Sequence, residues 1–135
     1  MAKPVILGIN LDDIEWQPAE EVYGGKDVGL DVPSGMLVKV LWKDEETGAS
    51  ATLLKAPPGW TTPHPEFHSC TQEGFMIEGR EIKGGIELVA PAYYCYPPGT
   101  VHGPVYSYGH TSLILMDGPF DVTYVTDDGF EDGGD

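Results

Sequence analysis

Four histidines and a handful of carboxylates carry the chemistry this chain offers. His64 and His68 share one segment, Pro63-His64-Pro65-Glu66-Phe67-His68, with Glu73 shortly after it. His102 stands apart, behind Pro98-Gly99-Thr100-Val101. Alternate side chains of an extended chain share a face, so His64, Glu66 and His68 can all point one way. Imidazole nitrogens and carboxylate oxygens converging on one point make a site for a divalent transition metal. Two imidazoles and one carboxylate, with positions left open, suit non-haem Fe(II), and Mn, Ni or Zn are the other candidates. Histidines beside prolines are also common in plain surface loops, so this segment alone does not define a site.

The remaining reactive groups invite simpler readings. Cys70 and Cys95 are too few for a disulfide framework. Cys70 reads as a buried inert thiol, and Cys95, between Tyr94 and Tyr96, as core. His110 follows Gly109 and is expected at the surface. Phe67, Phe75, Met76, Tyr94, Tyr96 and Tyr106 are candidates for the wall of a ligand site, although aromatics at strand spacing more often fill a core. Tyr106 is also a candidate proton or hydrogen-bond donor.

The elements that must position these groups are strands. Val38-Lys39-Val40-Leu41-Trp42 alternates, the Asp44–Gly48 stretch turns, and residues 36–55 read as a hairpin ended by Ala56-Pro57-Pro58-Gly59. Short strands follow at residues 74–78, closed by Gly79, and at 81–83, 86–89 and 93–96. Residues 111–116 form an apolar run, and 120–126 alternate again. Only Leu11–Tyr23 has room for a helix, and Pro18 keeps it short. Short strands with Gly/Pro turns between them predict an all-β sandwich or barrel.

Composition agrees and excludes much else. The 135 residues make one domain, and 18 Gly and 12 Pro forbid long helices. Seven Lys and Arg against 22 Asp and Glu give a net charge of −15. That charge repels phosphate backbones and anionic lipid, so neither nucleic acid nor membrane is an expected partner. No apolar run is long enough for a membrane span. The first residues carry no secretory pattern, and the cytoplasm is the expected compartment. The acidic tail, residues 127–135, is expected to be disordered.

The order of the motif residues resembles the two signature motifs of the cupin superfamily. Gly59 opens the first, His68 stands where its second histidine belongs, Glu73 follows after four residues, and Gly79 closes it. Pro97-Pro98-Gly99-Thr100-Val101-His102 matches the second. There are three departures. Glu66 replaces the first histidine, with His64 two residues earlier. Tyr106 replaces the last asparagine of the second motif, and Pro91 its opening glycine.

That resemblance implies a cupin-type double-stranded β-helix, a jelly-roll barrel, over residues 31–126. Residues 1–30 would be an arm packing on the barrel or on a second subunit of a homodimer. It implies one divalent metal held by His68, His102, Glu73 and either Glu66 or His64. From about Gly59 to Gly129 the chain is most similar to a group of small single-domain cupins. That group includes an acetylacetone-cleaving dioxygenase, which uses Fe(II) and O₂, and the cupin half of a singlet-oxygen-sensing anti-sigma factor. The implied function is a dioxygenase-like enzyme acting on a small carbonyl compound such as a β-dicarbonyl. The alternative is a non-catalytic metal-dependent sensor or small-molecule-binding cupin. Only Arg80 and Lys83 are cationic between the motifs, which favours a neutral or weakly acidic ligand.

Overall fold

Alternating apolar residues between Gly/Pro turns build an almost wholly antiparallel β structure. The computed structural model describes residues 3–23, 34–127 and 129–132. Its strands are β1 (Gln17–Pro18), β2 (Leu37–Lys43), β3 (Ser50–Thr61), β4 (Glu66–Phe67), β5 (Gln72–Lys83), β6 (Ile86–Val89), β7 (Ala92–Tyr96), β8 (Val105–Met116), β9 (Thr123–Thr126) and β10 (Gly129–Asp132). A single-turn helix, α1 (Ala19–Val22), is the only α-helix among the described residues. No helix there is long and apolar enough to cross a membrane.

The large sheet runs β1-β2-β3-β8-β5-β6, with β7 also paired to β5; the small sheet runs β10-β9-β4. The hairpin expected over residues 36–55 is β2–β3. It does not end at Ala56, because β3 continues through Pro57 and Pro58 to Thr61 along β8. Beyond Lys55, β3 has no β2 partner, so a proline there breaks no ladder bond on that edge.

The strands expected at 74–78 and 81–83 are one strand, β5. Gly79 bends it instead of closing it. Register slips between Met76 and Glu78 and again between Gly79 and Glu81. Gly79 has φ +84°, and a Cβ there would lie 1.9 Å from the Gly109 carbonyl oxygen, so only glycine lets β5 approach β8 this closely. The slips change which parity faces inward. Gln72, Gly74 and Met76 are buried before them, Glu81 and Lys83 after.

The core gathers Ile114 and Met116 of β8 with Cys70, against which Leu54, Tyr94 and Phe120 pack. Met76 is also fully buried. Outside the sheet, Lys39 Nζ donates to the Leu11 carbonyl at 2.7 Å and lies 4.6 Å from the Trp16 ring centre. The N-terminal segment therefore packs on β2 from Leu11 onward, whereas residues 3–10 are exposed. Residues 1–2 and 24–30 of the expected arm lie outside the described residues. In the acidic tail, residues 129–132 pair with β9 as β10. Ladder hydrogen bonds outweigh acidic composition in that segment. Residues 128 and 133–135 lie outside the description.

Candidate metal centre

The candidate centre sits where two loops are stitched together. Glu66 and His102 form an isolated antiparallel bridge, with Glu66 N–H donating to the His102 carbonyl and His102 N–H returning the bond. The Gly99 N–H donates to the His68 carbonyl at 3.0 Å. The turn after β7 is thus clamped along the segment bearing Glu66 and His68. On its other side, β4 pairs with β9, opposing Glu66 to Tyr124.

Three donor atoms converge there. His68 Nε2 lies 3.3 Å and His102 Nε2 3.9 Å from Glu66 Oε2, and each of the three residues offers an atom within 4.8 Å of the other two. Both histidines are buried. His68 Nδ1 lies 2.5 Å from the Asp121 carbonyl, and His102 Nδ1 lies 3.1 Å from the Thr100 carbonyl. A carbonyl can only accept, so each Nδ1 carries a proton, and Nε2 is the atom of each neutral ring that presents a lone pair to the cluster. His68 Nε2 has no hydrogen-bond partner among the described residues.

Packing fixes the rings. Tyr96 stacks on His102 at 4.3 Å with 7° between planes. Phe120 lies 5.4 Å from His68. Burial pushes the His102 pKa down to about 3, with the Lys83 ammonium adding to the effect, so its ring is neutral. Burial also pushes the Glu66 carboxyl up, partly offset by His68 and Lys83.

With both rings neutral, two lone pairs and a carboxylate oxygen facing one another in a buried site repel unless a cation joins them. The donors fit a metal. Ligand atoms about 2.1 Å from a shared ion at tetrahedral angles would be roughly 3.4 Å apart, against the 3.3 and 3.9 Å here. Two neutral imidazoles and one carboxylate match the donor set expected for Fe(II) and its neighbours.

The other sequence candidates lie elsewhere. The chain bends at Pro63 and His64, so the alternation of 64, 66 and 68 is interrupted. His64 meets the Tyr124 ring edge-on at 6.2 Å and is not in the cluster. Glu73 is on the opposite face of β5 from buried Gln72 and Gly74, where it accepts a 2.6 Å hydrogen bond from Tyr93 Oη. Tyr106 is 44% exposed, packed against Tyr108. Its place on β8, opposite Ile82, turns it outward.

Beside the centre lies a cavity of about 380 Å³. Glu66 and His102 line it, with Trp60, Tyr94, Phe120 and Val122 among its apolar walls. Of the expected wall residues, only Tyr94 lines it. Gly74 explains that placement: a Cβ there would fall 2.1 Å from Tyr94 Cζ, so its absence admits the ring. Further residues were not singled out as site members from the sequence: Gln72, Glu81, His110 and Ser112 also line the cavity. His110 is buried, not at the surface as expected, because the chain irregularity at Gly109 turns it inward. Cys95 is exposed rather than core, opposite Glu73 on the outer face, while Cys70 is buried as expected.

A β jelly roll holding two histidines and a carboxylate beside a cavity is the architecture of a cupin. Residues 7–120 match the family model described as the ChrR cupin-like domain, and the chain belongs to that family. Three solved structures show the same fold. One, from Methylibium petroleiphilum, carries a provisional assignment as an acetylacetone dioxygenase; it is 19% identical, with TM-score 0.72, over 96% of this chain and 87% of that one. The acetylacetone dioxygenase of Acinetobacter johnsonii is 17% identical, with TM-score 0.69, over 96% and 82%. A chain of the Rhodobacter sphaeroides complex of SigE with the anti-sigma ChrR is 19% identical, with TM-score 0.57, over 80% of this chain and 52% of that one. No curated protein matches the sequence significantly.

Proposed function

We propose that this protein is a mononuclear metal-binding cupin acting as a dioxygenase-like enzyme on a small carbonyl compound, such as a β-dicarbonyl. One divalent transition metal, Fe(II) by preference, is held by Glu66, His68 and His102. The observation that carries the reading is the convergence of two histidine Nε2 atoms on Glu66 Oε2, with His68 Nε2 buried and without a hydrogen-bond partner among the described residues. Bound there, the ion supplies Lewis acidity and open coordination positions. The protein orients both imidazoles through the Asp121 and Thr100 carbonyls. It surrounds the ligand with Trp60, Tyr94 and Phe120, which limit water.

The likeness to acetylacetone dioxygenases supports the choice of chemistry, and the anti-sigma likeness supports the alternative, a non-catalytic metal-dependent sensor. Metal analysis of the purified chain, then O₂ uptake by the iron-loaded protein with a panel of β-dicarbonyl compounds, separates them. Stoichiometric metal with substrate-dependent uptake is the expected result. Metal without uptake favours the sensor, and absence of metal binding refutes both.

We further propose a homodimer. Phe75, Ile77 and Tyr93 are exposed on the outer face of β5 and β7, and Val5 and Leu7 are exposed in the N-terminal segment. Apolar groups clustered this way mark association surfaces. Light scattering on the purified chain tests it, and a monomeric mass refutes it.

A further inference from the structure

The cavity wall is polar in a way that the carbonyl reading does not use. Three buried polar atoms on that wall have no hydrogen-bond partner among the described residues: Glu81 Oε2, Gln72 Oε1 and Ser112 Oγ. Glu81 and Ser112 are each 2% exposed and Gln72 6%. They come from neighbouring strands, Gln72 and Glu81 from β5 and Ser112 from β8.

The groups around them are already engaged. Ser107 Oγ accepts from the Gly109 N–H at 2.9 Å and lies 2.8 Å from His110 Nδ1. That contact aims His110 Nε2 at Glu81 Oε1, 3.5 Å away. Lys83 Nζ rests over the Tyr94 ring at 3.7 Å. So one Glu81 oxygen faces the histidine, and the other is left for whatever enters the cavity.

We infer that the natural ligand is a hydroxylated carbonyl compound, whose hydroxyl hydrogens are received by Glu81 Oε2 and Gln72 Oε1 with Ser112 Oγ completing the contact. The inference rests on the metal reading for the carbonyl end. The wall supplies the other end: two acceptor oxygens select a ligand that donates. A simple diketone in its keto form has no donor, so filling the cavity with one leaves buried acceptors unpaired. Such a loss costs roughly fivefold to a hundredfold in affinity per group. Sites built around a ligand hydroxyl reject analogues lacking it for this reason.

Ligand-observed NMR on the full chain, with and without Zn(II), tests this with two matched pairs. Hydroxyacetone is compared with methyl ethyl ketone, and dihydroxyacetone with diethyl ketone. Each pair replaces hydroxyl by methyl. The expected result is tighter binding of the hydroxylated member by about tenfold or more. Ser112→Ala, Gln72→Met and Glu81→Met should narrow that ratio, and the three variants keep the test open if one fails to fold. Equal affinities, a preference for the methyl member, or no binding by either pair at millimolar concentration overturns the inference. So does a hydroxyl preference that is unchanged in every folded variant. The dioxygenase reading fails separately: hydroxyl selectivity without O₂ uptake refutes that reading alone, and uptake of simple β-dicarbonyls without selectivity refutes this inference alone.

Discussion

Glu66 and His102 exchange both of their backbone hydrogen bonds, at 2.8 and 2.9 Å, across an antiparallel bridge. Two of the three donors are therefore set in register by the backbone itself. His68, two residues from Glu66, is on the same side of the extended segment. The site is preorganised, and its ligand set can be tested residue by residue.

The first prediction concerns that set. His68→Ala and His102→Ala should each abolish stoichiometric metal binding, and Glu66→Ala should weaken it sharply. His64→Ala and Glu73→Ala should leave metal content unchanged, because one ring lies against Tyr124 and the other carboxylate bonds Tyr93 on the outer face. Elemental analysis, with circular dichroism to confirm folding, reads all five. Full metal content in His102→Ala would refute the centre.

A second prediction concerns Asp121, which holds His68 without being a donor to the metal. Its carbonyl fixes the His68 tautomer. Its carboxylate accepts from the Ser69 N–H at 2.8 Å and from the Ser69 hydroxyl. Asp121→Ala keeps the carbonyl but releases the loop. Metal affinity should fall about 10–100-fold, the usual cost of losing an outer support. Competition with a chromophoric chelator measures it. Affinity equal to wild type would show that the loop is held by its packing alone.

How much of this was legible in the sequence follows from where strands stay regular. Glu66 and His68 were readable because the segment after Pro65 is extended and parity holds across two residues. His102 was readable from the Pro-Gly turn before it. Glu73 rests on its place in the motif alone, with no strand parity behind it, while the β5–β7 register buries Gln72 and turns Glu73 out. Glu81 and His110 were missed because each lies beyond an irregularity, at Gly79 or Gly109, that reverses the inward parity. A lone glycine in a strand pattern signals such a bulge. It does not say which parity emerges.

The third prediction tests that bulge. Gly79→Ala places a Cβ against the Gly109 carbonyl at a φ that side chains avoid. The variant should lose more than about 2 kcal/mol of stability. Urea unfolding gives the number, and an unchanged midpoint would mean that β5 and β8 can separate there without cost. Gly99→Ala, also at positive φ but with open space around it, is the comparison for the backbone strain alone.

The last prediction concerns acid. Burial lowers the His110 pKa to about 4, helped by the nearby Lys83 charge. In the unfolded chain an imidazole titrates near 6.5. The folded state therefore binds fewer protons than the unfolded state between these values. The resulting stabilisation is fully present above pH 6.5 and is lost as pH falls toward about 4. Glu81, which faces His110, has its carboxyl pushed up by burial, with Lys83 partly offsetting the effect. Its contribution has the opposite sign, being lost as pH rises through its folded value. Total stability thus mixes the two, and only a difference isolates the histidine. The stability of wild type minus that of His110→Gln should shrink as pH is lowered through this window. The slope cannot exceed one proton, about 1.4 kcal/mol per pH unit. Denaturant unfolding of both proteins at several pH values, without metal, supplies the difference. A pH-independent gap would mean that His110 is protonated alike in the folded and unfolded chains, and that its neutral contact with Ser107 does not form in solution.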